Sequence, residues 1–302
     1  MPTLRQLQAL ELVGQTASFT RTAERMFVTQ SAISILVREL EAELGTRLVV
    51  RGRAVRLTEA GEHLQRAGRR AQREVARAVE EVKAGRHTAA AVIRVGVGSL
   101  SAATFIPGAL RRLRDEASPV RIELIDRPVT LLTDLLASGE ADVVIGSTDT
   151  SPKLSGEFTS ELLLSDTLCV ACALDHPLAE KMRSAARGIR WQALEGTDLI
   201  LVGRNGGQWR ALLLDQRAQD RELSVGHEVQ LYSTALALVR DGLGAAVLPR
   251  HAGTYLDRSV YAVSPLISPG TRWSTYWVAR RRSMVDPAAL AQWRRAVDLA
   301  LR

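Results

Sequence analysis

Small polar side chains gather at one point of the chain in a pattern suited to reading hydrogen-bond donors and acceptors on another molecule. Thr29, Gln30, Ser31 and Ser34 lie in a stretch where Ala32, Ile33, Leu36, Val37 and Leu40 recur at helical spacing. Thr29 or Ser31 can cap that helix, and Gly45 stops it. A helix with hydroxyls and an amide at its N-terminus can approach base edges in a major groove. Just beyond it, Arg47, Arg51, Arg53 and Arg56 interleave with Leu48, Val49, Val50, Val55 and Leu57 around Gly52. That alternation predicts a two-stranded hairpin whose arginines reach phosphates or a minor groove.

A second set of polar residues follows predicted strands further along. Ser99, Leu100 and Ser101 come after Val92–Gly98, and Thr130 and Ser147 end neighbouring loops. Val202, Gly203 and Arg204 close the apolar run 199–202, and Ser233 opens a later helix. Strand ends and helix N-termini favour anions through free N–H groups and the helix dipole. Hydroxyls with one arginine make a small carboxylate the natural ligand.

These residues need scaffolds. Leu4, Leu7, Leu10 and Val13 predict a helix over 3–14, and Ser18 or Thr20 caps a second with Ala23, Met26 and Phe27 inward. Residues 58–86 contain no proline. There Leu64, Ala67, Ala71, Val75, Ala78 and Val82 form a coiled-coil-like seam that needs a partner helix. Thr58 can cap this helix, and residues 85–90 read as a hinge. From Val92 strands alternate with helices: 92–98, 99–114, 120–125, 129–138 and 141–145, then 168–173, 199–202, 208–216, 227–229, 233–239, 244–248, 272–280 and 287–301. Such alternation implies an α/β fold with a largely parallel sheet.

The segment SFTRTAERMFVTQSAISILVRELEAELGTRLVVRGRAVRLTEAG, residues 18–61, closely resembles the LysR-type DNA-binding segment, and GEADVVIG, DHPLA and DGLGAAVLP resemble phrases of the LysR sensor domain. The resemblance covers essentially the whole chain. It implies an all-α winged helix-turn-helix over 1–58 and a dimerising linker helix and hinge over 59–88. An α/β, two-lobed sensor like a periplasmic binding protein then fills 89–302, with lobe I at about 91–165 and 266–302 and lobe II at about 166–265. It further implies that Gln30, Ser31 and Ser34 face bases, Arg38 a phosphate and Arg53 the minor groove. The implied partners are double-stranded DNA at pseudo-palindromic promoter sites, a small carboxylate effector between the lobes, further copies of the chain as dimer or tetramer, and RNA polymerase. Two departures stand out. Ile35-Leu36 replaces an Arg-Gln pair common in relatives, so that either a base-reading arginine is missing or readout falls more to Gln30 and Arg53. The hairpin is also a residue shorter, with Val49-Val50 in place of the usual Phe and polar pair.

Composition is consistent with this. The net charge is +7, and residues 1–90 hold 15 basic and 10 acidic residues, so most of the excess lies in the first third. No apolar run spans a membrane and no signal core opens the chain, which places it in the cytoplasm. Two cysteines, Cys169 and Cys172, are too few for a disulfide scaffold, and at i, i+3 on a strand they face opposite sides. The five histidines have no metal spacing. Neither G-x-S-x-G nor a complete phosphate-loop or dinucleotide motif occurs. No catalytic residue, metal or cofactor is therefore expected. The competing classes are a cytoplasmic small-molecule-binding protein and an α/β enzyme, each with an accessory helical domain.

Overall fold

The computed structural model describes residues 1–52, 55–83, 91–147, 156–202, 213, 223–267, 272–281 and 285–302. Contacts divide the chain into two compact units, residues 1–89 with 137–140, and residues 90–136 with 141–302.

The first unit starts with three helices, α1 (Leu4–Thr16), α2 (Phe19–Met26) and α3 (Gln30–Leu44). Each begins at a side-chain cap. Thr3 and Gln6 form a reciprocal capping box, Ser18 Oγ accepts from the Arg21 N–H, and Thr29 Oγ1 accepts from the Ala32 N–H. Gly45 ends α3 in the left-handed conformation at φ 65°. Ala9, Leu10, Val13, Ile33, Val37 and Leu40 are fully buried between the helices. Strands β1 (Val49–Val50) and β2 (Arg56–Leu57) pair antiparallel as the predicted hairpin. Phe27, expected inward, is 95% exposed. It is the left-handed C-cap of α2 at φ 53°, and that turn directs Val28 rather than Phe27 toward the core.

Helix α4 (Glu59–Lys83) starts after Thr58, whose Oγ1 accepts from the Gly61 N–H. Its two halves differ. Gly61 lies so close to the Leu48 carbonyl that a Cβ would sit 2.1 Å from it, and Gly68 lies against Leu7 of α1. Leu64 joins the head core. The early part of the predicted seam is therefore used within the chain. Of the later part, Val75 and Val82 stay exposed, and Val79, which the predicted seam did not include, is exposed beside them.

The second unit holds two sheets, in strand orders β4-β3-β5-β13-β6 and β10-β9-β11-β7-β12-β8. The first contains β3 (Val92–Val97), β4 (Arg121–Asp126), β5 (Val143–Gly146), β6 (Phe158–Asp166) and β13 (Trp273–Arg280). Around it pack α5 (Ser99–Ala103), α6 (Ile106–Asp115), α7 (Leu132–Ser138) and the C-terminal α11 (Pro287–Ala300), with Trp293 and Ile106 fully buried. The second sheet contains β7 (Leu168–Ala173), β8 (Ile189–Arg190), β9 (Asp198–Val202), β10 (Ser224–Val229), β11 (Ala245–Pro249) and β12 (Tyr261–Ile267). Helices α8 (Pro177–Ser184), α9 (Tyr232–Arg240) and α10 (Arg250–Thr254) accompany it.

Two expectations need correcting. The sheets are mixed rather than largely parallel, because β13 runs antiparallel to β5 and β6, and β7 antiparallel to β11 and β12. These are the strands by which the chain passes between sheets. Only Thr167 separates β6 from β7, and β13 returns to the first sheet after β12 in the second. A strand that leaves or enters a lobe opposes the strands of its βα units. The single helix predicted over 99–114 is two, broken at Thr104 (φ −106°, ψ −94°), with Pro107 in the first turn of the second helix.

Candidate nucleic-acid interface and sensor cleft

The tip of α3 is built as the sequence suggests. Thr29 is its N-cap, the Thr29 and Ser31 hydroxyls lie 2.9 Å apart, and Thr29, Gln30 and Ser31 are all exposed. Arg38, two turns on, is also exposed. Ser34 behaves differently. It is only 9% exposed, and its hydroxyl faces Arg51 of the hairpin, whose Nη2 lies 3.4 Å away. Hence the structure groups Thr29, Gln30 and Ser31 as exposed polar side chains and joins Ser34 to Arg51. Arg53 lies outside the described residues.

In the second unit the expected ligand loops converge in two groups. Gly98 packs against Val129 and Gly146, so the segments carrying Ser99, Thr130 and Ser147 meet at the carboxyl edge of the first sheet. In the second sheet Val202 registers with Val229 at the ends of parallel strands, which puts Val202 on the same edge as Leu231–Ser233. The two edges touch. Ser99 Oγ accepts the Tyr232 backbone N–H at 3.1 Å, and Leu100 packs against the second lobe's apolar cluster of Ile200, Tyr232 and Val239. Ser101 is buried, Thr130 and Ser233 are exposed, and Ser99, Ser147 and Val202 are half-buried. Gly203 and Arg204 lie outside the described residues, as do the expected hinge at 85–90 and most of the expected helix 208–216.

Sequence reasoning missed a polar cluster where the chain crosses between lobes. Asp166 ends β6 and accepts from the His251 backbone N–H at 2.6 Å and from its ring Nδ1 at 3.0 Å, both at Oδ2. The Thr167 N–H reaches Oδ1 at 2.8 Å. Burial disfavours the Asp166 charge, but the ring and backbone N–H groups of His251 and that of Thr167 outweigh it and hold the carboxyl below its ordinary value of 3.8. Phe105, at the start of α6, stacks obliquely on His251 with ring centroids 6.1 Å apart. Recognition of β6 as a strand would have placed Asp166 at the crossing. Tyr232 was likewise missed; burial raises its phenol well above 10.

Cys169 and Cys172 are buried on opposite faces of β7, in separate clusters. Burial pushes their thiols up to about 12 and about 11. His176 caps α8, its Nδ1 accepting from the Leu178 N–H. Among the described residues no cluster of His, Cys, Asp or Glu is arranged to hold a metal ion, and no helix is long and apolar enough to cross a membrane.

A winged helix-turn-helix and, further along the chain, two α/β lobes joined by crossing strands define a two-part regulator, one part for duplex DNA and one for a small molecule. Residues 4–62 match the profile described as bacterial regulatory helix-turn-helix protein, lysR family, and residues 86–301 match LysR substrate binding domain. The chain belongs to the LysR family of DNA-binding transcription regulators, which are not enzymes. It is 30% identical to the RuBisCO operon transcriptional regulator of Allochromatium vinosum, over 95% of this chain and 92% of that one. Among solved structures, a full-length OxyR variant from Pseudomonas aeruginosa aligns at TM-score 0.63 and 26% identity, covering 98% of this chain and 95% of that one. CbnR in complex with its target DNA aligns at TM-score 0.62 and 18% identity, covering 99% of both chains.

Proposed function

We propose that this regulator reads pseudo-palindromic promoter DNA as a dimer or tetramer and is switched by a small carboxylate held between the sensor lobes. The observation that carries the DNA half is the exposed Thr29–Gln30–Ser31 tip of a capped helix beside an arginine-bearing hairpin. Gln30 and Ser31 contact base edges, Arg38 and Arg51 contact phosphate, and Arg53 enters the minor groove. Pairing of two copies along the exposed Val75, Val79 and Val82 stripe of α4 presents two heads, so one protein spans two half-sites.

The effector site comprises Ser99, Leu100, Ser101, Thr130, Ser147, Val202, Gly203, Arg204 and Ser233. Support comes from the meeting of two strand-end edges at Ser99 and Tyr232, the place where α/β lobes hold small ligands. A carboxylate bound there favours one lobe arrangement over another, which changes how the paired heads engage DNA and present it to RNA polymerase. The protein works in the cytoplasm.

A mobility-shift measurement with a duplex from upstream of its own gene, at two salt concentrations, tests the DNA half. Binding that weakens steeply with salt is expected, and absent or salt-insensitive binding overturns it. A thermal-shift series of small mono- and dicarboxylates tests the sensor half. Stabilisation that disappears in Arg204→Ala, with DNA affinity intact, is expected; stabilisation that persists removes Arg204 from the site.

A further inference from the structure

Arg51 is held unusually for an exposed arginine. Its guanidinium carbon lies 5.1 Å from the centroid of the Phe19 ring, and its Nη2 lies 3.4 Å from Ser34 Oγ. Phe19 is the first residue of α2 and belongs to the head core, Ser34 lies in α3, and both are 9% exposed. The residue after β1 is thus fixed against both helices of the helix-turn-helix by a ring face and one hydroxyl. Neither neighbour carries charge. Several arginines elsewhere meet carboxylates, Arg69 with Glu11, Arg94 with Asp142, and Arg294 with Glu161 and Asp298, while Arg21 and Arg258 are held by backbone carbonyls. Among the described residues Arg51 has no such partner. Its orientation is set while its charge stays uncompensated, and most of its five N–H donors remain available.

From this we infer that Phe19 and Ser34 are positioning residues that aim Arg51 at a DNA phosphate, and that Ser34 acts through Arg51 rather than on a base. A flexible arginine loses rotamer freedom when it binds; one already seated loses less, so seating raises affinity without a new contact to DNA. A phosphate is the fitting ligand because the guanidinium fork matches its oxygens and no carboxylate among the described residues neutralises it. Such a contact carries no sequence information.

The inference rests on the DNA-binding reading, and the test separates the two. The full-length protein is titrated with a duplex from upstream of its own gene and with a scrambled duplex of equal composition, across a salt series. Arg51→Ala is expected to weaken binding to both duplexes by the same factor and to flatten the slope of log affinity against log salt by about 0.9 for each phosphate lost. Ser34→Ala and Phe19→Leu are expected to weaken both equally, by about three- to tenfold, a range typical of lost preorganisation. In the Arg51→Ala background neither should have further effect. Ser34→Ala removes a single oxygen, so it keeps the test open if Phe19→Leu lowers the melting temperature of the head. A change in preference between the two duplexes on Ser34→Ala, or an undiminished effect in the Arg51→Ala background, overturns the inference and returns Ser34 to direct readout. If the unaltered protein binds neither duplex at low salt, the reading of the whole head fails instead.

Discussion

The head and the sensor unit use their polar groups in opposite ways. In the head, the hydroxyls that start the recognition helix stay at the surface: Thr29 caps α3 and lies beside Ser31, both exposed. In the sensor unit, polar groups near the lobe junction are answered from within the chain, Asp166 by His251 and Thr167, and Ser99 by the Tyr232 N–H. The contrast separates a face left open toward a partner from a junction whose polar groups are satisfied within the chain. The head presents a finished face held by one small core. The sensor lobes each have a core of their own, and among the described residues they meet through the Ser99–Tyr232 and Asp166–His251 hydrogen bonds and the apolar contact of Leu100.

If the two units are separately held, damage to one should spare the other. The largest effect is expected from Trp293→Ala, which empties a fully buried site in the first lobe and should cost about 3–5 kcal/mol of sensor stability. Urea unfolding followed by circular dichroism should show that loss while DNA affinity holds. Equal loss in both units would break the comparison. Leu40→Ala is the converse, with about 2–5 kcal/mol expected from the head core and ligand-induced thermal shifts of the sensor retained. Asp166→Asn sharpens the contrast through pH. Because the folded carboxyl titrates below its ordinary value of 3.8, its contribution is present above that value and lost as pH falls through the lowered one. The variant should be less stable at neutral pH and should lose less than the unaltered protein on acidification; parallel acid profiles would contradict this. The smallest effect belongs to Ser18→Ala, a lost cap worth about 1 kcal/mol, confined to the head in a thermal scan.

The same division explains what the sequence disclosed. Thr29, Ser18, Gly45 and Thr58 were readable because caps and stops act on residues three or four positions away. The helix-turn-helix and its hairpin followed, and so did the strands with unbroken apolar runs, such as Val143–Gly146. Strand β6 did not follow. It sits at a sheet edge, its apolar residues Leu162, Leu163 and Leu164 are consecutive rather than alternating, and its pairing with β13 shifts register between Thr275 and Tyr276. Strand β12 was hidden by Pro265 in its middle. Of the candidate site, residue types and loops were legible. What Ser34 and Arg51 do to each other was not, because they lie 17 positions apart and meet only when hairpin and helices pack. Phe27 misled for a local reason: hydrophobicity argued inward, and the left-handed turn at its own position sent it out.

The two sulfurs of β7 turn that strand into a pair of clocks. One thiol is sealed beneath each face, and both resist ionisation at neutral pH because of burial. An alkylating reagent can mark Cys169 or Cys172 only during the moments when that side of the sheet comes apart. The relative rates of labelling, read by mass spectrometry with and without a bound effector, would time the opening of each side separately in the unmodified protein.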